Sequence, residues 1–194
     1  MLPPVMDQDT VLSLFRNSGA LLEGHFKLTS GLHSAKYLQS ALVLQHPKHA
    51  EALGRALADK LRDLHATVVL SPALGGLIIG HEVARGLGVR AIFAERQDGA
   101  LSLRRGFSLS STDRVVVIED VVTTGKSTRE TMDVAEQTGA KVVGAGSIID
   151  RSGGHSNLGV PFHPLVMLTV TTHDPAECPM CQAGQPVVKP GSRA

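Results

Sequence analysis

The chain has 194 residues, 42% of them hydrophobic, and 19 Lys+Arg against 18 Asp+Glu give a net charge of +1. That length suits one domain with a buried core, and the balanced charge excludes nucleic-acid binding by bulk electrostatics. Five Phe, one Tyr and no Trp leave few rings for stacking on single-stranded bases, so the core has to be aliphatic. Two Cys cannot form a disulfide framework and suit a reducing compartment. No apolar run approaches the roughly 18 residues of a membrane span. Met1–Thr10 has prolines and acids where a signal peptide needs basic and then apolar residues. A cytoplasmic globular protein is expected, with neither membrane nor nucleic acid among its partners.

The first helical signal is Val11, Leu14, Phe15 and Ser18, with Asp9 or Thr10 as cap and Gly19 as stop. The stretch from Gly24 to Tyr37 reads as irregular. A long helix opens at Pro47, a residue suited to the first helical position, and Leu53, Leu57, Leu61 and Leu64 mark its apolar face. Strand and helix then alternate. Thr67–Leu70 is a buried strand, followed by the turn Ser71-Pro72-Ala73-Leu74-Gly75-Gly76 and a helix from about Leu77 to Arg85. Val89–Phe93 and Arg114–Ile118 are further strands, the second with four β-branched residues in a row from Val115. A helix over Ser127–Gln137 leads to strands within Lys141–Ile149 and Leu165–Val170. The tail from Asp174 to Ala194, rich in Pro and Gly, is expected to lie over the surface or fray. Apolar strands separated by helices predict an α/β fold with a mostly parallel central sheet flanked by helices. Ligands in such sheets sit at the carboxyl ends of the strands, and the segments leaving those ends are 71–76, 95–106 and 119–127.

The third of these carries the most chemistry. Val115-Val116-Val117-Ile118 delivers Glu119 and Asp120 to the end of a buried strand, and Val121-Val122-Thr123-Thr124-Gly125-Lys126-Ser127-Thr128 then enters a helix. A helix start offers free N–H groups and the positive end of a dipole, worth ~1–2 kcal/mol to a partly buried anion. Gly125 lets the backbone approach a phosphate, and Thr123, Thr124, Ser127 and Thr128 can donate hydroxyl hydrogen bonds. Gly125-Lys126-Ser127 resembles the end of a nucleotide-triphosphate loop, but Asp120 stands where that motif needs its first glycine. A dinucleotide fingerprint fails at Ile149, where a third glycine should follow Gly144 and Gly146. Two acids ahead of a phosphate cradle suit the vicinal hydroxyls of a ribose that bears a 5′-phosphate. The bland alternative is a capped helix after a strand, with Asp120 as a partial cap.

This segment resembles the phosphoribosyl-pyrophosphate signature of type I phosphoribosyltransferases, and nearly the whole chain is similar to the orotate phosphoribosyltransferases. The stretch Phe26-Lys27-Leu28-Thr29-Ser30-Gly31-Leu32-His33-Ser34-Ala35-Lys36-Tyr37 resembles their N-terminal motif, and residues 71–76 their pyrophosphate-binding turn. Phe93-Ala94-Glu95-Arg96 and Arg104-Arg105-Gly106-Phe107 resemble their mobile active-site loop, and Ile149-Asp150-Arg151 their Asp-Arg after a later strand.

The resemblance implies a pentosyltransferase that turns orotate and phosphoribosyl pyrophosphate into orotidine 5′-phosphate and pyrophosphate. It implies Mg²⁺ held mainly through substrate and water, and a homodimer whose active-site loop is shared between subunits. It places phosphoribosyl pyrophosphate on Ala73, Leu74, Gly75, Gly76, Arg96, Glu119, Asp120, Val121, Val122, Thr123, Thr124, Gly125, Lys126 and Ser127. Thr123, Arg151, Tyr37 and Lys27 would meet orotate, Arg151 through its carboxylate. Glu119, Asp120, Arg104 and Arg105 are the candidate catalytic residues. A small hood over a core at about 45–150 would come from residues 1–40 and 150–194, all within one domain.

The chain departs from the family pattern where lysines are common. Gly75 stands in the pyrophosphate turn, Thr29 replaces a lysine two residues after Lys27, and the stretch between Gln97 and Phe107 has Arg104 and Arg105 as its only cations. One of these arginines is expected to neutralise pyrophosphate, since a guanidinium donates hydrogen bonds but does not act as a general acid. The bland readings are a solvated pair for Arg104 and Arg105, solvent for Lys126, and a structural ion pair for Arg151. His33 and His155 are read as polar loop residues. Cys178-Pro179-Met180-Cys181 is half a zinc site that His163 and His173 could complete, although two reduced thiols in a surface tail fit the pattern better. Two rival functions stay in view. A purine phosphoribosyltransferase would leave Arg151 without a carboxylate, and a nucleic-acid-binding sensor would need more charge and more aromatics.

Overall fold

The computed structural model describes residues 6–28 and 30–190. The readings that touch Met1–Val5, Thr29 and 191–194 lie outside the described residues. Helix α1 (Gln8–Asn17) is capped by Asp7, two residues before the nearer candidate Asp9, through Thr10 N–H donating to its Oδ1 at 2.8 Å. Then follow β1 (Leu21–Lys27), β2 (His33–Leu38), α2 (Ser40–Leu44), α3 (Pro47–Leu61), β3 (Val68–Pro72), α4 (Gly76–Leu87), β4 (Arg90–Gln97) and β5 (Ala100–Leu103). The chain continues through β6 (Arg114–Val122), α5 (Lys126–Glu136), β7 (Lys141–Asp150), β8 (Phe162–Met167), β9 (Thr172–His173) and α6 (Pro179–Gln182).

Six strands form the central sheet in the order β5-β4-β3-β6-β7-β8, parallel throughout except for β5 at one edge. Side chains alternate across a strand, and both faces of this sheet are apolar. Val69, Val116 and Ile118 pack with Leu53, Leu57 and Leu61 of α3 and with Ile79 and Val83 of α4. Val68, Leu70, Val115 and Val117 face the other way, against Met132, Val134 and Ala135 of α5. Two aliphatic layers therefore fix the sheet between helices, as the pattern of strands and helices predicts.

Two segments differ from the sequence expectation, and a third takes one of the two courses expected of it. Residues 24–37 are not irregular, because β1 and β2 pair antiparallel with a bulge between Glu23 and Phe26. The active-site-loop segment is partly strand, with β4 extending to Gln97 and β5 returning beside it from Ala100. The tail over residues 174–190 lies along the surface, mostly exposed, and is hydrogen-bonded to the hairpin. Strand β9 pairs with β2, Lys27 N–H donates to the Val188 carbonyl at 2.9 Å, and Val188 N–H donates to the His25 carbonyl at 2.8 Å. The N-terminal hairpin and the C-terminal segment, the parts expected to form the hood, thus build one small three-stranded sheet, β1-β2-β9. Cys178 is buried there, and the side chains beside the two cysteines are His25 and His33, not His163 and His173.

Candidate active site

Strand β6 ends in Glu119 and Asp120, and the loop 123–125 carries the chain into α5. Gly125 has φ +73° and caps the helix with no side-chain hydrogen bond. Any Cβ there would come within 2.9 Å of Leu158 and 3.0 Å of the Arg129 guanidinium, in a backbone conformation that disfavours one anyway. The bland cap reading fails on this point, because Asp120 accepts from Val121 N–H at 2.8 Å and does not cap α5. The first-turn N–H groups of α5 face a cavity of about 300 Å³ lined by Glu119, residues 121–128, Arg96 and Glu130. Thr123 and Thr124 are exposed, Ser127 is half-buried and Thr128 is buried in its wall.

The pyrophosphate-turn segment meets the same place from the other side. A Cβ on Gly75 would lie 2.8 Å from Asp120 Oδ1, and one on Gly76 would lie 2.8 Å from the Ile118 carbonyl oxygen. Glycine at both positions lets the turn before α4 close onto the end of β6. The Ala73–Leu74 peptide in that turn is cis, and Leu74 is exposed. A side chain at position 75 would run into the Asp120 carboxylate.

The two carboxyls are unlike. Glu119 is 7% exposed, and burial, with the adjacent Asp120 charge and hydrogen bond adding to it, pushes its pKa up to about 8 against smaller opposing effects of the Asp120 N–H and the Ser127 hydroxyl. Glu119 therefore keeps its proton at neutral pH, so that it can donate as well as accept. Asp120 is half-buried beside it.

Arg151 follows β7, and its N–H donates to the Val122 carbonyl at 2.7 Å, which ties it to the end of β6. Burial lowers its pKa, and its Nε is buried without a partner. Its neighbour Asp150 accepts from Ser152 N–H at 2.7 Å, and among the described residues Arg151 has no ion-pair partner, so the structural-pair reading is not what forms. A buried guanidinium nitrogen left unpaired is costly and calls for an anion.

The cations of the β4–β5 region divide. Arg96 lines the cavity, hydrogen-bonded to Glu130 and to the Gly99 carbonyl. Arg105 is bidentate to Glu95 at 2.7 and 2.8 Å and lies over the Phe93 ring. That bond draws the Glu95 carboxyl below its ordinary range. Arg104 is exposed and near enough to act on Glu95 through its charge alone. Neither Arg104 nor Arg105 lines the cavity of its own chain, and Tyr37 and Lys27, on the hood hairpin, do not line it either. Lys126 is exposed, 3.9 Å from Glu130.

Two residues of the site escape sequence reasoning. Arg129 donates to the Thr124 carbonyl at 2.8 Å and to the Asn157 carbonyl at 3.3 Å, bracing the loop. Glu130 holds Arg96 against the cavity wall. Spacing within α5 could have placed both on the helix's first two turns, but their partners come from other elements. A separate groove of about 440 Å³ between α3 and α4 is walled by charges already paired, such as Arg85 with Glu82 and Arg55 with Glu51.

A phosphoribosyl transferase domain is matched over residues 40–159. The orotate phosphoribosyltransferase of Carboxydothermus hydrogenoformans is 54% identical over 182 residues, 93% of this chain and 95% of its own. The chain belongs to the orotate phosphoribosyltransferase family. The Heliobacterium modesticaldum orotate phosphoribosyltransferase is 52% identical over 97% of this chain and all of its own. Among solved structures, the orotate phosphoribosyltransferase from Aeropyrum pernix superposes with a TM-score of 0.69 at 24% identity, over 81% of this chain and 93% of that one, a likeness of fold.

Proposed function

We infer that the protein is an orotate phosphoribosyltransferase acting in the cytoplasm, with Mg²⁺ and as a homodimer. The observation that carries the choice of base is Arg151, a half-buried residue with a buried, unpartnered Nε, whose backbone is hydrogen-bonded to the end of β6. A planar fork of donors matches the orotate carboxylate.

The 5′-phosphate binds at the α5 N-terminus, on the N–H groups of 124–127 and the hydroxyls of Thr123, Thr124 and Ser127. Asp120 and the protonated Glu119 engage the two ribose hydroxyls. The turn 73–76, set against Asp120, presents its N–H groups to pyrophosphate. The donor set fits a hydrated Mg²⁺ held chiefly by substrate oxygens. Asp120 and the protonated Glu119 are the carboxyl groups at hand, and among the described residues the one group of three or more candidate metal-ligating side chains lies in the hood. When bound, the ion offsets charge gathering on the pyrophosphate oxygens. As the C1′–O bond breaks, its electron pair leaves with pyrophosphate, and the orotate nitrogen bonds to C1′ and gives up its proton, which the departing pyrophosphate or solvent takes. The protein's work is to hold these groups in line and to stabilise charge. Tyr37 and Lys27 close over the base from the hood. Of the loop arginines, Arg104 is the one to reach pyrophosphate in the partner's site, since Arg105 is held by Glu95.

Ultraviolet absorbance of orotate, followed with the purified protein, Mg²⁺ and phosphoribosyl pyrophosphate, tests this directly. Turnover of orotate but not of adenine, hypoxanthine or uracil is expected. Turnover of a purine would overturn the base assignment. Binding of phosphoribosyl pyrophosphate with no turnover of any base would make the protein a sensor.

A further inference from the structure

We propose that His25, His33, Cys178 and Cys181 form a structural Zn²⁺ site that fastens the C-terminal segment to the N-terminal hairpin. The four side chains each present one ligand atom, and all four atoms lie within 4.8 Å of one another. His25 Nε2 is 2.8 Å from His33 Nδ1, 3.6 Å from Cys178 Sγ and 3.7 Å from Cys181 Sγ, and Cys181 Sγ is 3.3 Å from His33 Nδ1. A tetrahedral Zn²⁺ with its usual Zn–S and Zn–N lengths needs ligand atoms about 3.3–3.8 Å apart. The three sulfur–nitrogen distances already match that span, the two nitrogens lie closer, and no ligand pair exceeds 4.8 Å.

The chemistry of the set points the same way. Two imidazoles and two thiols in Cys-x-x-Cys spacing are a zinc donor set, and two thiolates would balance the charge of the ion. The Gln185 carbonyl, 2.9 Å from His25 Nδ1, can only accept, so Nδ1 carries the proton and Nε2 turns its lone pair into the cluster. Three of the four residues are buried. Four protein ligands leave no open position, which makes the site structural and not catalytic. None of them lines the cavity at β6, so the inference stands apart from the transfer reaction.

The hood explains what such a site does. Its strands are short, β9 has two residues, and its buried centre includes the polar His25, His33 and Ser34. The ligands join segments 148 and 156 residues apart in sequence, and the strands they pin carry Lys27 and Tyr37.

The full chain, purified without chelators, should contain about one Zn²⁺ per chain by elemental analysis. Exchange with Co²⁺ should give a thiolate-to-cobalt charge-transfer band and the visible bands of tetrahedral cobalt. Stripping the metal should lower Tm by roughly 5–10 °C, restored by Zn²⁺. The Cys178→Ser/Cys181→Ser variant should lose the metal and the cobalt spectrum, whereas His155→Ala should keep both. The cobalt spectrum of the unaltered chain decides the matter even if the double variant fails to fold. A folded chain that holds no metal as purified and takes up neither Zn²⁺ nor Co²⁺ after reduction overturns the proposal. A stable Cys178–Cys181 disulfide that persists in reducing cytosol overturns it as well.

Discussion

The central sheet and the hood are held together by different means. Every interior strand of the sheet is covered on both faces by Leu, Ile, Val and Ala, so its stability is spread over many side chains. The hood has three strands and depends on a few directional links: the β2–β9 pairing, the bridge from Phe26 to Val188, and the His–Cys cluster. In the proposed reaction the sheet carries the phosphate-binding end of the site, and the hood carries Lys27 and Tyr37 on the base side. A change in the sheet should therefore affect stability broadly, while a change in the hood should affect the base before the phosphate.

The largest expected effect is on catalysis at the end of β6. Glu119→Gln with Asp120→Asn should lower kcat/KM by ~10³ or more while circular dichroism stays native. Normal turnover by the folded variant would remove both acids from the site. Next comes Leu57→Ala, in the layer between α3 and the sheet, which should destabilise the protein by about 2–5 kcal/mol in urea titrations. The KM for orotate should not change, and a change would break the division between sheet and hood.

Arg151→Ala should raise the KM for orotate by about 10–100-fold, in line with the ~1.5–3 kcal/mol of a charged hydrogen bond. The KM for phosphoribosyl pyrophosphate should move far less, and equal shifts would deny Arg151 its specific role. A smaller effect concerns pH. The Glu119 carboxyl rises from 4.5 unfolded to about 8 folded, so the stability it contributes is whole below about 4.5 and is lost as pH climbs through about 8. Thermal melts of the ligand-free protein should show Glu119→Gln declining less than wild type between pH 6 and pH 9. Parallel curves would mean that Glu119 is not buried as a neutral acid. The smallest effect is that of Lys126→Ala, which removes an exposed pair with Glu130 and should change stability by no more than ~0.5 kcal/mol.

The phosphate end was legible because its elements are contiguous. Strand, acids, hydroxyls, glycine and helix fall within 115–128, and each step has a local physical signature. The base side had no such continuity. Strand β1 buries its residues in no regular alternation, since the bulge between Glu23 and Phe26 breaks the period, so residues 24–37 looked irregular. Strand β5 is a four-residue edge strand with no fully buried side chain and gives equally little pattern. Cys178 and Cys181 pointed to half of a metal site, but the other half is two histidines on strands that periodicity does not reveal. Arg129 and Glu130 act through partners on other segments, which spacing alone does not supply.

The pairing of β9 with β2 and of Val188 with Phe26 also sets an order of assembly. During synthesis, β3 to β8 can collect their layers once residue 167 is available, because all the strands of that sheet lie within 68–167. The hairpin made from residues 21–38 has to wait, its outer edge open, until residues 172–188 emerge. The first strands made are among the last to be completed, so the growing chain acquires its phosphate cradle before its cover. For that interval it carries an unpaired strand edge, the kind of surface on which nascent chains aggregate.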